Sequence, residues 1–122
     1  MNLTGLVTAL STFASIWLGH LAVRKIEFHA VQLWPPILGA GLLGLACLGL
    51  SLASPSPLAS PALGILGVTF IWDAYEFQRQ DRRVRRGHAP ANPANPRHAA
   101  YLRAGRATTA NLLQRGPGGG AQ

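Results

Sequence analysis

FHAVQLWPPILGAGLLGLACLGLSLASPSPLASPALGILGVTFIW, residues 28–72, contains no Asp, Glu, Lys or Arg. A helix needs about 20 apolar residues to cross the hydrocarbon core of a bilayer. This run is too long for one crossing and about right for two. Ser54-Pro55-Ser56-Pro57 interrupts it with residues that end helices and form turns. The run therefore predicts two membrane spans, at about residues 35–53 and 61–77, joined by a short turn.

A second run without charged residues, residues 1–23, precedes the charged group Arg24, Lys25 and Glu27. It predicts a first span at about residues 3–23. No Lys or Arg precedes it, as one would in a secretory signal peptide, so we interpret it as a retained helix. The predicted fold is all-α: one integral membrane domain, residues 1–86, of three transmembrane helices, the third extended to residue 86.

The composition favours the membrane class and gives little sign of catalysis. Hydrophobic residues make up 48% of the chain and charged residues only 12%, against about 25% charged in soluble domains. The single cysteine, Cys47, excludes a disulfide framework. The four histidines lack metal-site spacing, and no catalytic triad or phosphate-loop motif occurs. We therefore predict no enzymatic activity, no cofactor and no metal.

The basic residues predict the orientation. With three crossings, all 11 Lys and Arg lie on one side of the membrane. The positive-inside rule makes that side cytoplasmic. We predict a multi-pass protein of the cytoplasmic (inner) membrane, with the N-terminus outside and the C-terminus in the cytoplasm. Trp34, Trp72 and Tyr75 fall at the predicted cytoplasmic interface, where aromatic side chains concentrate.

The basic tail has two predicted parts. Residues 79–86 continue the third helix, and four arginines share one face of it by their i, i+3, i+4, i+7 spacing: Arg79, Arg82, Arg83 and Arg86. Because they follow a membrane exit, they predict contact with the anionic inner leaflet. A nucleic-acid surface would need interleaved aromatics or a binding motif, and neither is present. Residues 87–122 are rich in Pro and Gly and predict a mostly flexible tail, with a weak helix over 98–113.

His20 is the ionisable residue of the first span, and it lies about one turn before Arg24. Asp73 and Glu76 lie at a similar depth at the end of the third span. A polar residue at that depth seeks a partner within the protein. We predict a helix–helix contact from His20 to Asp73 or Glu76. A proton relay and a hydrated histidine without a role are the alternatives.

Small residues form stripes that predict the packing faces. In lipid, helices associate through close approach at such residues. The stripes pack the three helices together within the chain or receive a partner or a second copy. Their members are Ser11, Ser15 and Gly19 on the first helix, Ala40, Gly44, Cys47 and Ser51 on the second, and Ser60, Gly64 and Gly67 on the third.

Several segments resemble one prokaryotic membrane family. They are Met1-Asn2-Leu3-Thr4-Gly5-Leu6, Gly19-His20, Lys25-Ile26-Glu27, Trp72 with Glu76, and Arg83-Val84-Arg85-Arg86-Gly87-His88-Ala89-Pro90-Ala91-Asn92-Pro93. On these the chain resembles domain of unknown function 4491, over residues 1–97. Leu21 stands where that family tends to have proline, and His88-Ala89 replace two aromatics. The resemblance implies a short multi-span protein and adds no activity.

These patterns favour a small accessory or assembly subunit of a larger membrane complex. Its predicted partners are the lipid bilayer with its anionic inner leaflet and a protein, bound through the small-residue faces or the cytoplasmic tail. Self-association through the small-residue faces is the alternative, and no nucleic acid is expected. The alternative is a component of an oligomeric transporter or channel for protons or a small solute.

Overall fold

Four α-helices make up the fold, in a computed structural model that describes residues 1–111. They are α1 (Thr4–His29), α2 (Trp34–Ala53), α3 (Ala59–Arg85) and α4 (Pro96–Arg103). The all-α prediction is confirmed. Two of these helices, α1 and α2, are long and apolar enough to cross a membrane.

The observed bounds lie close to the predicted ones except at the end of α1. α2 begins and ends within one residue of the prediction. α1 continues six residues past residue 23 and includes Arg24, Lys25 and Glu27. α3 ends at Arg85, and Gly87 shortly after it has a positive φ of 78°. His88 N–H donates to the Arg83 carbonyl and Gly87 N–H to that of Val84, which is a Schellman motif.

α1 runs parallel to α3 in a register set by small side chains. The Ser15 and Thr69 hydroxyls are 3.3 Å apart. One turn further, a Cβ on Gly19 would lie 2.7 Å from an Asp73 carboxylate oxygen. Gly19 therefore leaves the space that the Asp73 carboxylate occupies.

α2 runs antiparallel to α3. The Ser51 hydroxyl donates to the Ser60 carbonyl over 2.7 Å, and the Ser60 hydroxyl donates to the Ser51 carbonyl over 2.9 Å. Further along, a Cβ on Gly44 would lie 2.8 Å from the Gly67 carbonyl oxygen. The two backbones touch at this point because neither residue has a side chain.

α3 is the central helix of a flat layer. Gly67 contacts α2 and Thr69 contacts α1. Two residues correspond to roughly 200° around a helix, so α1 and α2 pack on opposite sides of α3. The layer keeps two broad outer faces.

Burial in the layer is inverted relative to a soluble protein. The buried residues of α1 are Ser15, Gly19, Val23 and Glu27, and the buried residue of α2 is Gly44. Large apolar side chains are instead exposed along all three helices, among them Leu6, Leu10, Phe13, Trp17, Leu38, Leu42, Leu45, Leu50, Val68 and Trp72. Apolar area of this extent marks a membrane or protein contact.

The segment after α3 differs from the prediction of a mostly flexible tail. Residues 87–108 turn back onto the helix ends, and Val84, Ala89 and Ala91 form a small core with Tyr101 and Leu102. α4 takes the place of the weak helix predicted over 98–113. The physical reason is a set of buried polar contacts with α1 and α3, described below. Residues 112–122 of the predicted tail lie outside the described part of the chain.

Candidate functional site

A buried polar network joins the segment after α3 to the ends of α1 and α3. We call it the C-terminal latch. Its members are Glu27, Asp81, Asn92, Asn95, Arg97, His98 and Tyr101. Glu27 is only 1% exposed and His98 is fully buried. An isolated buried carboxylate would be very unfavourable, so the partners of Glu27 are essential to its placement.

Arg97 connects the two acids of the latch. Its Nη2 lies 2.9 Å from Glu27 Oε1, and its Nη1 pairs with Asp81 Oδ1. Burial lowers the pKa of the Arg97 guanidinium, whereas the bonds to Glu27 and Tyr101 and the charges of Glu27 and Asp81 raise it. The net pKa lies above the ordinary arginine value, so Arg97 keeps its charge.

His98 is held in one tautomer. The Asn92 backbone N–H donates to His98 Nδ1 over 2.9 Å, so Nδ1 carries no proton. Nε2 lies 2.8 Å from Glu27 Oε1 and donates to it. A proton on Nδ1 would face the Asn92 N–H, donor against donor. The hydrogen bonds therefore place a ring proton on Nε2.

The latch also satisfies the end of α1. The last carbonyls of a helix have no partner within it. Arg97 Nη2 donates to the Glu27 carbonyl over 2.8 Å. Asn92 and Asn95 both donate to the Phe28 carbonyl, and Asn95 also donates to that of Ala30 over 2.9 Å. A cation at this end is favourable to the helix dipole as well.

Asp81 ties α4 to α3. Its Oδ1 accepts from the Tyr101 hydroxyl over 2.8 Å, and its Oδ2 lies 3.0 Å from Arg85 Nη2. The hydrogen bond that Arg85 donates to the Tyr101 hydroxyl raises the pKa of Arg85 above its usual value. Asn95 caps α4 by accepting from the Arg97 N–H over 3.0 Å, with Pro96 in the first turn. The latch thereby fixes one short helix across the ends of two long ones.

The latch has no counterpart among the contacts predicted from the sequence. Asn95-Pro96 was the available signal, because an Asn followed by Pro is a common helix start. A second signal was Glu27, an acid that follows the apolar residues of α1 and needs a positively charged or hydrogen-bond-donating partner.

The four predicted arginines lie together on one side of α3. With Tyr75 and His88 they line a depression of about 200 Å³, and we call this set the arginine surface: Tyr75, Arg79, Arg82, Arg83, Arg86 and His88. Glu76 is buried beneath it. Its Oε2 lies 3.2 Å from Arg79 Nη1 and its Oε1 lies 3.0 Å from Arg83 Nη2. One acid thus balances one of four arginine charges.

His20 and Asp73 meet at a groove between α1 and α3, which we call the α1–α3 groove. It has a volume of about 320 Å³, and its lining is Ile16, His20, Val68, Thr69, Trp72 and Asp73. His20 is exposed and Asp73 is only 8% exposed. Within residues 1–111, Asp73 accepts no hydrogen bond and has no ion-pair partner within 4 Å. Glu76 pairs instead with Arg79 and Arg83.

The predicted small-residue faces meet mainly between α2 and α3. Gly44 faces Gly67, and a Cβ on Gly64 would lie 3.2 Å from the Ser51 hydroxyl. Ala40 and Cys47 are half-buried on α2. On α1, Ser15 and Gly19 face α3, and Ser11 is half-buried.

Other glycines of α2 are not used in this packing. A Cβ on Gly39, Gly41 or Gly49 would meet nothing within 4 Å.

Over residues 1–111 there is also no group of three His, Cys, Asp or Glu side chains that could bind a metal ion.

Comparison with known proteins identifies a family. No curated protein and no solved structure matches the chain. The match to a family model covers the latch residues Glu27, Asp81, Asn92 and Asn95 and stops just before Arg97 and His98. It confirms the resemblance drawn from residues 1–97. The model, described as domain of unknown function (DUF4491), matches residues 2–95, and the chain belongs to that family.

Proposed function

We propose that the chain is a three-span protein of the cytoplasmic membrane and that it acts as an accessory or assembly subunit of a larger membrane complex. The support for a third span is the level of the helix ends. In the register of Ser15 with Thr69, Thr4 is level with residue 58 of the chain. In the register of Ser51 with Ser60, Ala53 is level with the same residue. The start of α1, the end of α2 and the start of α3 therefore lie at one level, next to Ala59.

The thickness of the layer supports the same proposal. The α2 register makes Trp34 level with Phe77 on α3. From Ala59 to Phe77 the rise is roughly 27 Å, close to the ~30 Å of a hydrocarbon core. All three helices cover this distance side by side. A bilayer around α1 and α2 would surround this part of α3 as well.

Reporter fusions test the topology. A reporter at Ser56 is expected outside the cytoplasm and one at the C-terminus inside, because this arrangement keeps all 11 basic residues within. A pair of reporters, such as an alkaline phosphatase and a fluorescent protein, gives a positive signal for either side of the membrane. Both fusions on the same side would remove the third span.

The observation that carries the accessory role is the set of open glycines on α2. Membrane helices use glycine to bring backbones close together. Gly44 serves that purpose within the chain, whereas Gly41 and Gly49 leave open space on the same helix. A helix of a partner would fill that space. The flat layer leaves this side of α2 accessible.

Purification from native membranes tests the role. The chain should co-purify with one larger membrane assembly at fixed stoichiometry. Gly41→Leu should abolish this co-purification while the purified variant keeps the wild-type thermal stability. If Gly41→Leu recovers as much of the assembly as the wild type does, the proposed α2 contact is wrong. If the wild-type chain purifies alone, the accessory role is wrong.

A second candidate function, a proton or small-solute transporter component, is favoured by Asp73. Its carboxylate is buried and has no hydrogen-bond donor or ion-pair partner within 4 Å in residues 1–111, and buried carboxylates of this kind are often functional. It lies in one groove with His20. Proton flux into liposomes that contain the purified protein alone, abolished by Asp73→Asn, would select this function over the accessory role.

A further inference from the structure

The arginine surface and the α1–α3 groove lie on one face of α3. Val68, Trp72, Tyr75, Arg79 and Arg82 follow one another at intervals of three or four residues, which keeps them on one side of a helix. The groove takes the deeper part of this face and the arginine surface the outer part. Trp72 and Tyr75 join the two, with ring centroids 5.6 Å apart.

The polarity of this face changes along its length. Its outer part carries four arginines and one buried acid. Arg82 lies 6.0 Å from the Tyr75 ring centroid, and Arg86 forms no side-chain hydrogen bond or ion pair with any residue in 1–111. Its deeper part offers mainly the apolar side chains of Ile16, Val68 and Trp72.

We propose that this face binds one anionic phospholipid of the inner leaflet, with its phosphate among the arginines and an acyl chain in the α1–α3 groove. The length agrees. From Val68 to Arg82 the rise is roughly 21 Å, which is half of a bilayer of about 40–45 Å including headgroups. Planar guanidinium groups suit phosphate oxygens, and the charge that Glu76 leaves unbalanced selects a headgroup with net negative charge. This inference rests on the proposed membrane placement.

The site predicts lipid specificity. Purified protein in mild detergent, mixed with equal amounts of phosphatidylglycerol and phosphatidylethanolamine, should retain one phosphatidylglycerol per chain by native mass spectrometry. Arg82→Gln with Arg86→Gln should weaken that binding about 30-fold, from two lost arginine contacts. Arg103→Gln with Arg106→Gln is the control, because these two arginines are exposed on the same tail and outside the arginine surface.

A second pair of variants tests the groove. Val68→Trp would fill it and should reduce retention of the lipid at least about tenfold. Leu45→Trp adds the same bulk at an α2 position that is equally exposed, 62% in both cases, and should leave retention unchanged. Thermal stability of each variant shows whether the fold persists.

Three outcomes would overturn the proposal. Equal loss in the two arginine pairs would indicate diffuse attraction instead of a site. Equal retention of phosphatidylethanolamine would contradict the headgroup selectivity. Unchanged lipid retention by Val68→Trp would contradict an acyl chain in the α1–α3 groove. The reporter fusions measure membrane placement independently of lipid retention. A protein with the expected topology and no bound lipid therefore fails this inference alone.

Discussion

Arg97→Met is expected to detach residues 88–108 from the helix ends. The substitution keeps much of the side-chain volume and removes the charge between Glu27 and Asp81, both of which are buried. Breaking a buried ion pair by removing one partner costs about 3–5 kcal/mol. The carbonyls of Glu27 and Ala30 lose their guanidinium donor as well. Hydrogen–deuterium exchange of the amides in residues 88–108 should become at least about 100-fold faster.

Arg103→Met is the matched control for this prediction. Arg103 lies on the same short helix, is exposed, and has no contact in the latch. Its exchange pattern should stay that of the wild type. If Arg97→Met also leaves the exchange of the Asn92 amide unchanged, the latch does not hold the segment.

Gly44→Leu is expected to separate α2 from α3. A Cβ at this position would lie 2.7 Å from Ile71 Cγ1 and 2.8 Å from the Gly67 carbonyl oxygen. A backbone oxygen cannot rotate away as a side chain does, so the helices must move apart. Overpacking of this kind costs about 1–3 kcal/mol for small insertions, occasionally more. We expect the upper end of that range, measured as a clear fall in the thermal unfolding midpoint in detergent.

Gly41→Leu adds the same side chain three residues earlier on α2, where a Cβ meets nothing within 4 Å. The unfolding midpoint of the isolated chain should be unchanged or slightly higher, because glycine is unfavourable inside a helix. Similar midpoints for the two variants would contradict the glycine contact between α2 and α3.

The three long helices could be predicted from the sequence because their signals are local. Absence of charge, length and proline position decide where a helix starts and ends, and α2 agrees with its prediction to one residue. Gly44 and Gly67 could be assigned to packing faces because the spacing of small residues along a helix is also a local signal. Which face meets which helix could not be derived, because the spacing alone does not reveal that α3 is central.

The latch could not be predicted because its contacts are distant along the chain. Glu27 and His98 are 71 residues apart, and no periodic pattern connects them. The Pro-rich and Gly-rich composition after Gly87 is typical of a flexible tail, yet Asn92 and Asn95 take buried positions by donating to α1 carbonyls. The prediction of a His20 contact with Asp73 or Glu76 stays a prediction, since the groove brings His20 and Asp73 near each other without a hydrogen bond.

The position of the latch partners along the chain sets an order of events during synthesis. Glu27 leaves the ribosome long before Arg97 and His98, the residues that pair with its carboxylate. Until then the last carbonyls of α1 lack the donors that the latch supplies. Closure of the latch is thus a late step, made by residues that follow all three long helices. A nascent chain that stalls before Asn92 would contain α1, α2 and α3, but the last carbonyls of α1 would lack the donors of Asn92, Asn95 and Arg97.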